Sequence, residues 1–150
     1  MSKERQPGMT LIVKTVTRLT VGLILLYGIY VVTHGHLTPG GGFAGGVVIA
    51  LSLVHLMLAF GGDVAFKTLS KSGAAVLEAI GALLFVGIAI IGFGWAGFFF
   101  NFLPKGTPFD LFSAGIIPLC NIAISLKVGA GLFSVVIAIV FLRVAGSERE

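Results

Sequence analysis

The sequence predicts an all-α integral membrane protein: a four-helix bundle with a Gly/Pro-rich irregular segment before helix 4. Three observations predict it. Of 150 residues, 57% are hydrophobic and 11% charged, and the mean hydropathy is +1.09. A soluble domain of this length needs far more charge to cover its surface, so the outside of this one must meet an apolar solvent. The apolar residues also gather into four runs near the roughly 20 residues that cross a bilayer. None of the runs alternates as a barrel strand does, which leaves helices to satisfy the backbone within lipid.

The first run covers about residues 9–33 and ends at the polar cluster His34-Gly35-His36. It is too long for the apolar core of a signal peptide and no small-residue cleavage site follows it, so it reads as a span. The second covers about 43–60 and stops at Gly61-Gly62-Asp63. The third, about 73–94, is interrupted only by Glu78, and the fourth, about 117–142, contains Lys127 and ends at Arg143. Between the last two, Phe98-Phe99-Phe100-Asn101-Phe102-Leu103 is strongly apolar, yet Pro104, Gly106 and Pro108 forbid a long helix. Two readings stay open for 95–118: an interfacial or re-entrant segment with aromatic rings at headgroup depth, or a flap packed on a neighbouring protein.

The whole chain, 1–150, reads as one membrane domain. Its net charge of +4 makes no nucleic-acid-binding stripe, because the basic residues sit between the apolar runs and act as topology signals. Lys3, Arg5, Lys14, Arg18, Lys67, Lys71, Arg143 and Arg149 fall on one side, and Lys105 alone on the other. The positive-inside rule then predicts both termini in the cytoplasm and a multi-pass protein of the cell membrane. The single cysteine, Cys120, allows neither an internal disulfide nor a thiolate cluster, and reads as a small buried side chain.

Polar residues within the spans are the candidate functional groups. Lys127 lies near the middle of the fourth run, where a charge costs roughly 2.5–3.5 kcal/mol on insertion scales and so must face protein or water. At helical spacing it shares a face with Ala123, Ala130, Gly131, Ser134 and Ala138, small enough for another helix to come close. It is either part of an ion or proton route, or a lysine that snorkels or pairs once with a neighbouring carboxylate to fix assembly. Glu78, one turn inside the third run, either closes a hydrated ion pair or exchanges protons. His55 lies mid-span with Ser52 and Ala59 on its face, as a hydrogen-bonded structural histidine or a proton relay. His34 and His36 are a weak metal hint, with no carboxylate or cysteine nearby to complete a shell, so no metal is expected.

The run Thr38-Pro39-Gly40-Gly41-Gly42-Phe43-Ala44-Gly45-Gly46 predicts a helix capped by Thr38 with Pro39 as its first residue. Gly41-Gly45 and Gly42-Gly46 form two overlapping close-packing pairs, and Gly40 adds to a place where another backbone comes near or the helix unwinds. No Gly-Lys-Ser/Thr follows and no strand precedes it, so it is not a nucleotide-binding loop.

Gly35-His36, followed by Pro39-Gly40-Gly41-Gly42-Phe43 and Gly45-Gly46, resembles the signature of the MnhB/MrpB subunit of multi-subunit cation/proton antiporters. So does the later run Gly106-Thr107, Pro118-Leu119, Asn121-Ile122 and Leu126-Lys127-Val128. The resemblance covers about residues 10–142. It implies a small helical bundle that sits beside larger antiporter-like subunits in a hetero-oligomer, with Na+ and H+ as the transported ions. Such subunits occur in stand-alone sodium/proton antiporters and in respiratory membrane-bound hydrogenase or sulfane reductase complexes, and overall similarity leans to the respiratory kind. Lys127, Asn121, His36 and the glycine run match the family pattern, while Glu78 and His55 are proposed from depth alone.

No nucleophile with a base, metal cage or cofactor loop is present, so the chain is expected to need no cofactor and not to be an enzyme by itself. A purely structural subunit that glues larger ones together is the competing reading. An independent channel or carrier is disfavoured by four short spans without an internal repeat.

Overall fold

A computed structural model describes residues 9–61, 64, 67–111 and 113–147, with 141 and 143–147 described by backbone alone. Lys3, Arg5, Arg149 and the side chain of Arg143, counted in the charge asymmetry, lie outside the described residues, as do Gly62 and Asp63.

Four helices occupy the four apolar runs: α1 (Leu11–Thr33), α2 (Gly41–Phe60), α3 (Lys71–Trp95) and α4 (Ile117–Ser147). Each is long and apolar enough to cross a membrane, α4 through its Ile117–Val140 portion, and the chain is a multi-pass membrane protein. With every backbone bond made inside the segment, a helix needs no solvent partner in hydrocarbon. The hydroxyls follow the same rule. Thr15, Thr20, Thr33, Ser52, Ser125 and Ser134 each donate to a carbonyl one turn back in their own helix.

The helix ends are set locally. Ser70 caps α3, its Oγ accepting from the Gly73 N–H at 3.0 Å. Thr38, expected to cap α2, does not. Its hydroxyl donates to the His34 carbonyl at 3.2 Å and so closes the end of α1. Gly40, at φ 135°, stands before α2, and Gly41 follows at φ 66°. The reversal from α1 into α2 needs backbone angles that only glycine adopts without strain, so Pro39 stays outside the helix.

The helices pack in the order α1–α2–α4–α3, with α1 also touching α4 and α3 resting chiefly on α4. Missing side chains set each contact. A Cβ on Gly45 would lie 2.9 Å from the Gly28 carbonyl oxygen, across the α1–α2 contact. Gly42 would meet the Asn121 carbonyl oxygen at 2.3 Å and Gly46 that of Ser125 at 2.9 Å, across α2–α4. Gly81 would meet the Ala123 oxygen at 2.7 Å, across α4–α3. In lipid, where apolar surface gives little drive to associate, such close approach is how helices gain dispersion energy. Below these crossings Met57, Ala74, Ala130, Phe133 and Ile137 form a buried apolar core from α2, α3 and α4.

The described residues of 96–116 form an irregular lobe that folds back along α3. The Phe100 backbone sits where a Gly92 Cβ would be, and the Phe99 ring packs on Phe85 with centroids 5.1 Å apart. Asn101 ties the lobe together. Its Oδ1 accepts from the Ile116 N–H at 3.1 Å and its Nδ2 donates to the Ala114 carbonyl at 3.4 Å. The lobe presents Phe109, 89% exposed, at its surface.

Candidate functional site

Lys127 and Glu78 meet across the α3–α4 seam. The lysine Nζ donates to Glu78 Oε1 at 3.0 Å, and the side chains are 50% and 39% exposed. Two glycines allow the pair. Gly81, three residues beyond Glu78, brings the backbones together, since a Cβ there would stand 2.7 Å from the Lys127 nitrogen. Gly131, one turn beyond Lys127, leaves the space in which the Glu78 carboxylate rests, at 3.7–3.9 Å from an ideal Cβ. Beside the pair runs a groove of about 330 Å³ lined by Gly81, Ala82, Phe85, Val86, Ala123 and Ile124, with Lys127 and Val128 on its α4 wall. Of the small residues that share a face with Lys127, Ala123 and Ala130 are buried in the bundle.

His55 joins α2 to α1. Its Nε2 lies 3.1 Å from Thr20 Oγ1 and 3.4 Å from the Oγ1 of Thr17, which is fully buried. The Thr20 proton is in reach of the Val16 carbonyl at 3.1 Å. With that bond made, the Thr20 oxygen accepts from a protonated Nε2, and Nδ1 is the acceptor of the neutral ring.

Asn121 and His36 gather at the α1–α2 turn. Asn121 Oδ1 accepts from the Gly42 N–H at 3.2 Å, satisfying one of the free donors at the start of α2. Its Nδ2 is buried, faces Gly35 and meets no partner among the described residues. His36 Nε2 donates to the Asp110 carbonyl at 3.2 Å, which ties this turn to the 96–116 lobe, and its buried Nδ1 meets no partner among the described residues. His34 turns elsewhere: it stacks on Tyr30 with centroids 4.1 Å apart and bonds Thr33 through Nδ1. Among the described residues no three His, Cys, Asp or Glu side chains converge.

The structure thus brings together Lys127 with Glu78, and His36 with the turn that Asn121 contacts, while His55 stands apart with its threonines. Sequence reasoning missed four contributors. Thr17 and Thr20 sit at i and i+3 on one face of α1, a visible polar pair in an apolar helix. Gly81 follows Glu78 at the same spacing. Asn101 alone carried no positional signal.

Fold and site together define a small multi-pass helical membrane protein with an ion pair placed inside its spans. The chain belongs to the family described as a domain related to the MnhB subunit of Na+/H+ antiporter, whose model matches residues 12–134. A protein of Methanocaldococcus jannaschii, itself uncharacterised, is 40% identical over 121 residues, 73% of this chain and 44% of that protein. The putative antiporter subunit mnhB2 of Staphylococcus aureus (strain Newman) is 38% identical over 80 residues, 53% of this chain and 56% of the other. This chain therefore spans about half the length of these relatives. Among solved structures, a chain of the membrane-bound sulfane sulfur reductase, an archaeal respiratory membrane complex, is similar with TM-score 0.73 and 31% identity. That match covers 91% of this chain and 62% of the other.

Proposed function

We propose that this chain is a non-catalytic membrane subunit of an Mrp-type Na+/H+ antiporter module, supporting or lining the sodium/proton path. In this reading both termini face the cytoplasm, and the module belongs to a respiratory complex of the membrane-bound hydrogenase or sulfane reductase kind. The observation that carries the role is the Lys127–Glu78 pair, half exposed inside the spans. The mechanism is electrostatic. At an effective dielectric near 20, two unit charges 4 Å apart interact by roughly 4 kcal/mol. A cation or proton arriving at Glu78 competes with the ammonium group, and the released Lys127 then repels the next cation. Occupancy of the carboxylate and position of the lysine are thereby linked.

The test is purification of the whole complex through a tag on this chain, reconstitution into vesicles, and measurement of sodium-driven pH change per assembled complex. Lys127→Met is expected to lower that flux at least tenfold. Unchanged flux per assembled complex would remove the path role and leave a structural subunit. Similarity to the staphylococcal antiporter subunit favours a second parent, a stand-alone antiporter. Subunit composition separates the two: iron–sulfur subunits co-purify in the first case, and antiporter membrane subunits alone in the second.

A further inference from the structure

The α3–α4 ion pair has an unfilled hydrogen-bonding capacity that hydrocarbon cannot meet. Lys127 has three N–H donors, and among the described residues one is spent, on Glu78 Oε1. The second carboxylate oxygen of Glu78 accepts nothing among those residues. Both side chains are substantially exposed on the flank of the seam, and none of the described residues covers them. Lys127 lies about 15 Å along α4 from Ile117, too deep for lipid headgroups to reach.

Two grooves lie along the α3–α4 seam. The groove beside Gly81, Ala82, Phe85 and Ile124 flanks the pair, and a second of about 250 Å³, lined by Lys71, Ser134, Ile137 and Ala138, opens further along α4. Ile124 and Ala138, one from each groove, stand roughly 21 Å apart along α4, about four helical turns. Small residues along it permit close backbone approach.

From these observations we infer that the α3–α4 groove seats a transmembrane helix of another subunit, one that presents an uncharged carboxamide, Asn or Gln, to Lys127 and Glu78. The pair is neutral as a whole, so a fixed third charge on the partner helix, unlike a passing ion, would leave a permanent unbalanced charge among the spans. What remains unmet is two donors on one side and acceptor capacity on the other, and a carboxamide meets one of each in a single side chain. Serine and threonine fit less well, because within helices they spend their proton on their own backbone, as Thr15, Thr20 and Ser134 do here. The inference rests on the reading of this chain as one subunit of a larger membrane assembly.

The test uses the intact complex. A photo-crosslinking residue is placed at Val86 or Ala138, both on the exposed flank of the groove, and adducts are mapped by mass spectrometry. The expected adduct is to one transmembrane helix of one co-purifying subunit, with an Asn or Gln within about two turns of the crosslink. Adducts to lipid alone, or to a helix without either residue there, would overturn the inference while leaving the complex itself intact. Absence of any co-purifying membrane subunit would instead sink the reading beneath it. The exchange K127E/E78K provides the second arm, since a carboxamide can turn over and serve the reversed pair. It is expected to keep at least half of the wild-type yield of complex, whereas Lys127→Met alone loses about tenfold. Full assembly of Lys127→Met would overturn the inference. So would loss of assembly in the exchange variant when the isolated chain still melts as the wild type does.

Discussion

Gly81 of α3 and Lys127 of α4 lie so close that a Cβ on the glycine would stand 2.7 Å from the lysine backbone nitrogen and 3.1 Å from its Cβ. The seam that holds the ion pair is therefore closed by a missing side chain. Gly81→Leu is expected to force the helices apart and lower stability by about 1–3 kcal/mol, as overpacking does. Gly87→Ala, with nothing within 4 Å of the added methyl, is expected to be neutral or slightly stabilising. Thermal unfolding in detergent compares the two.

The His55 contacts predict a modest lock between α1 and α2. Interhelical hydrogen bonds in membranes contribute about 0.6 kcal/mol on average. A double-mutant cycle with Thr20→Val and His55→Leu is expected to give a coupling of about 0.5–1.5 kcal/mol. A coupling indistinguishable from zero would mean that the two side chains do not share a bond in solution.

Asn121 caps the second helix from a distance, through the Gly42 N–H at 3.2 Å. Asn121→Ala leaves that donor buried without an acceptor, at an expected cost of about 1–3 kcal/mol. Gly42→Ala is expected to be at least as damaging, since its Cβ would fall 2.3 Å from the Asn121 oxygen. Both are read from denaturation midpoints of the purified chain.

Asn101 holds the 96–116 lobe through two backbone groups, Ile116 N–H and the Ala114 carbonyl. Asn101→Ala is expected to loosen the lobe while leaving the helices in place. Trypsin cleavage at the exposed Lys105 reports this directly, with a several-fold faster cut predicted. An unchanged rate would show that the lobe is held by its aromatic contacts instead.

How much of this was legible in the sequence follows from which forces act locally. The four helices and the apolar class follow from composition and run length, because lipid admits little else. The irregular lobe was legible from Pro104, Gly106 and Pro108, but its fold back along α3 was not, since it rests on Phe100 meeting Gly92 and Phe99 meeting Phe85, contacts that no local pattern marks. Thr38 misled, because the chain reversal takes its hydroxyl for His34 and gives the start of α2 to Gly40. Depth alone marked Lys127 and Glu78 as costly. Their pairing across 49 positions depends on the α1–α2–α4–α3 packing order, which is set by where glycines on different helices meet. No periodicity within one helix encodes that.

The ion pair carries the functional account, so the double variant K127M/E78Q tests it most directly. It removes both charges and leaves neither one unpaired, which separates assembly from transport. In vesicles holding equal amounts of assembled complex, the account predicts a sodium-driven pH change at least tenfold below wild type. Wild-type flux through that complex would contradict it.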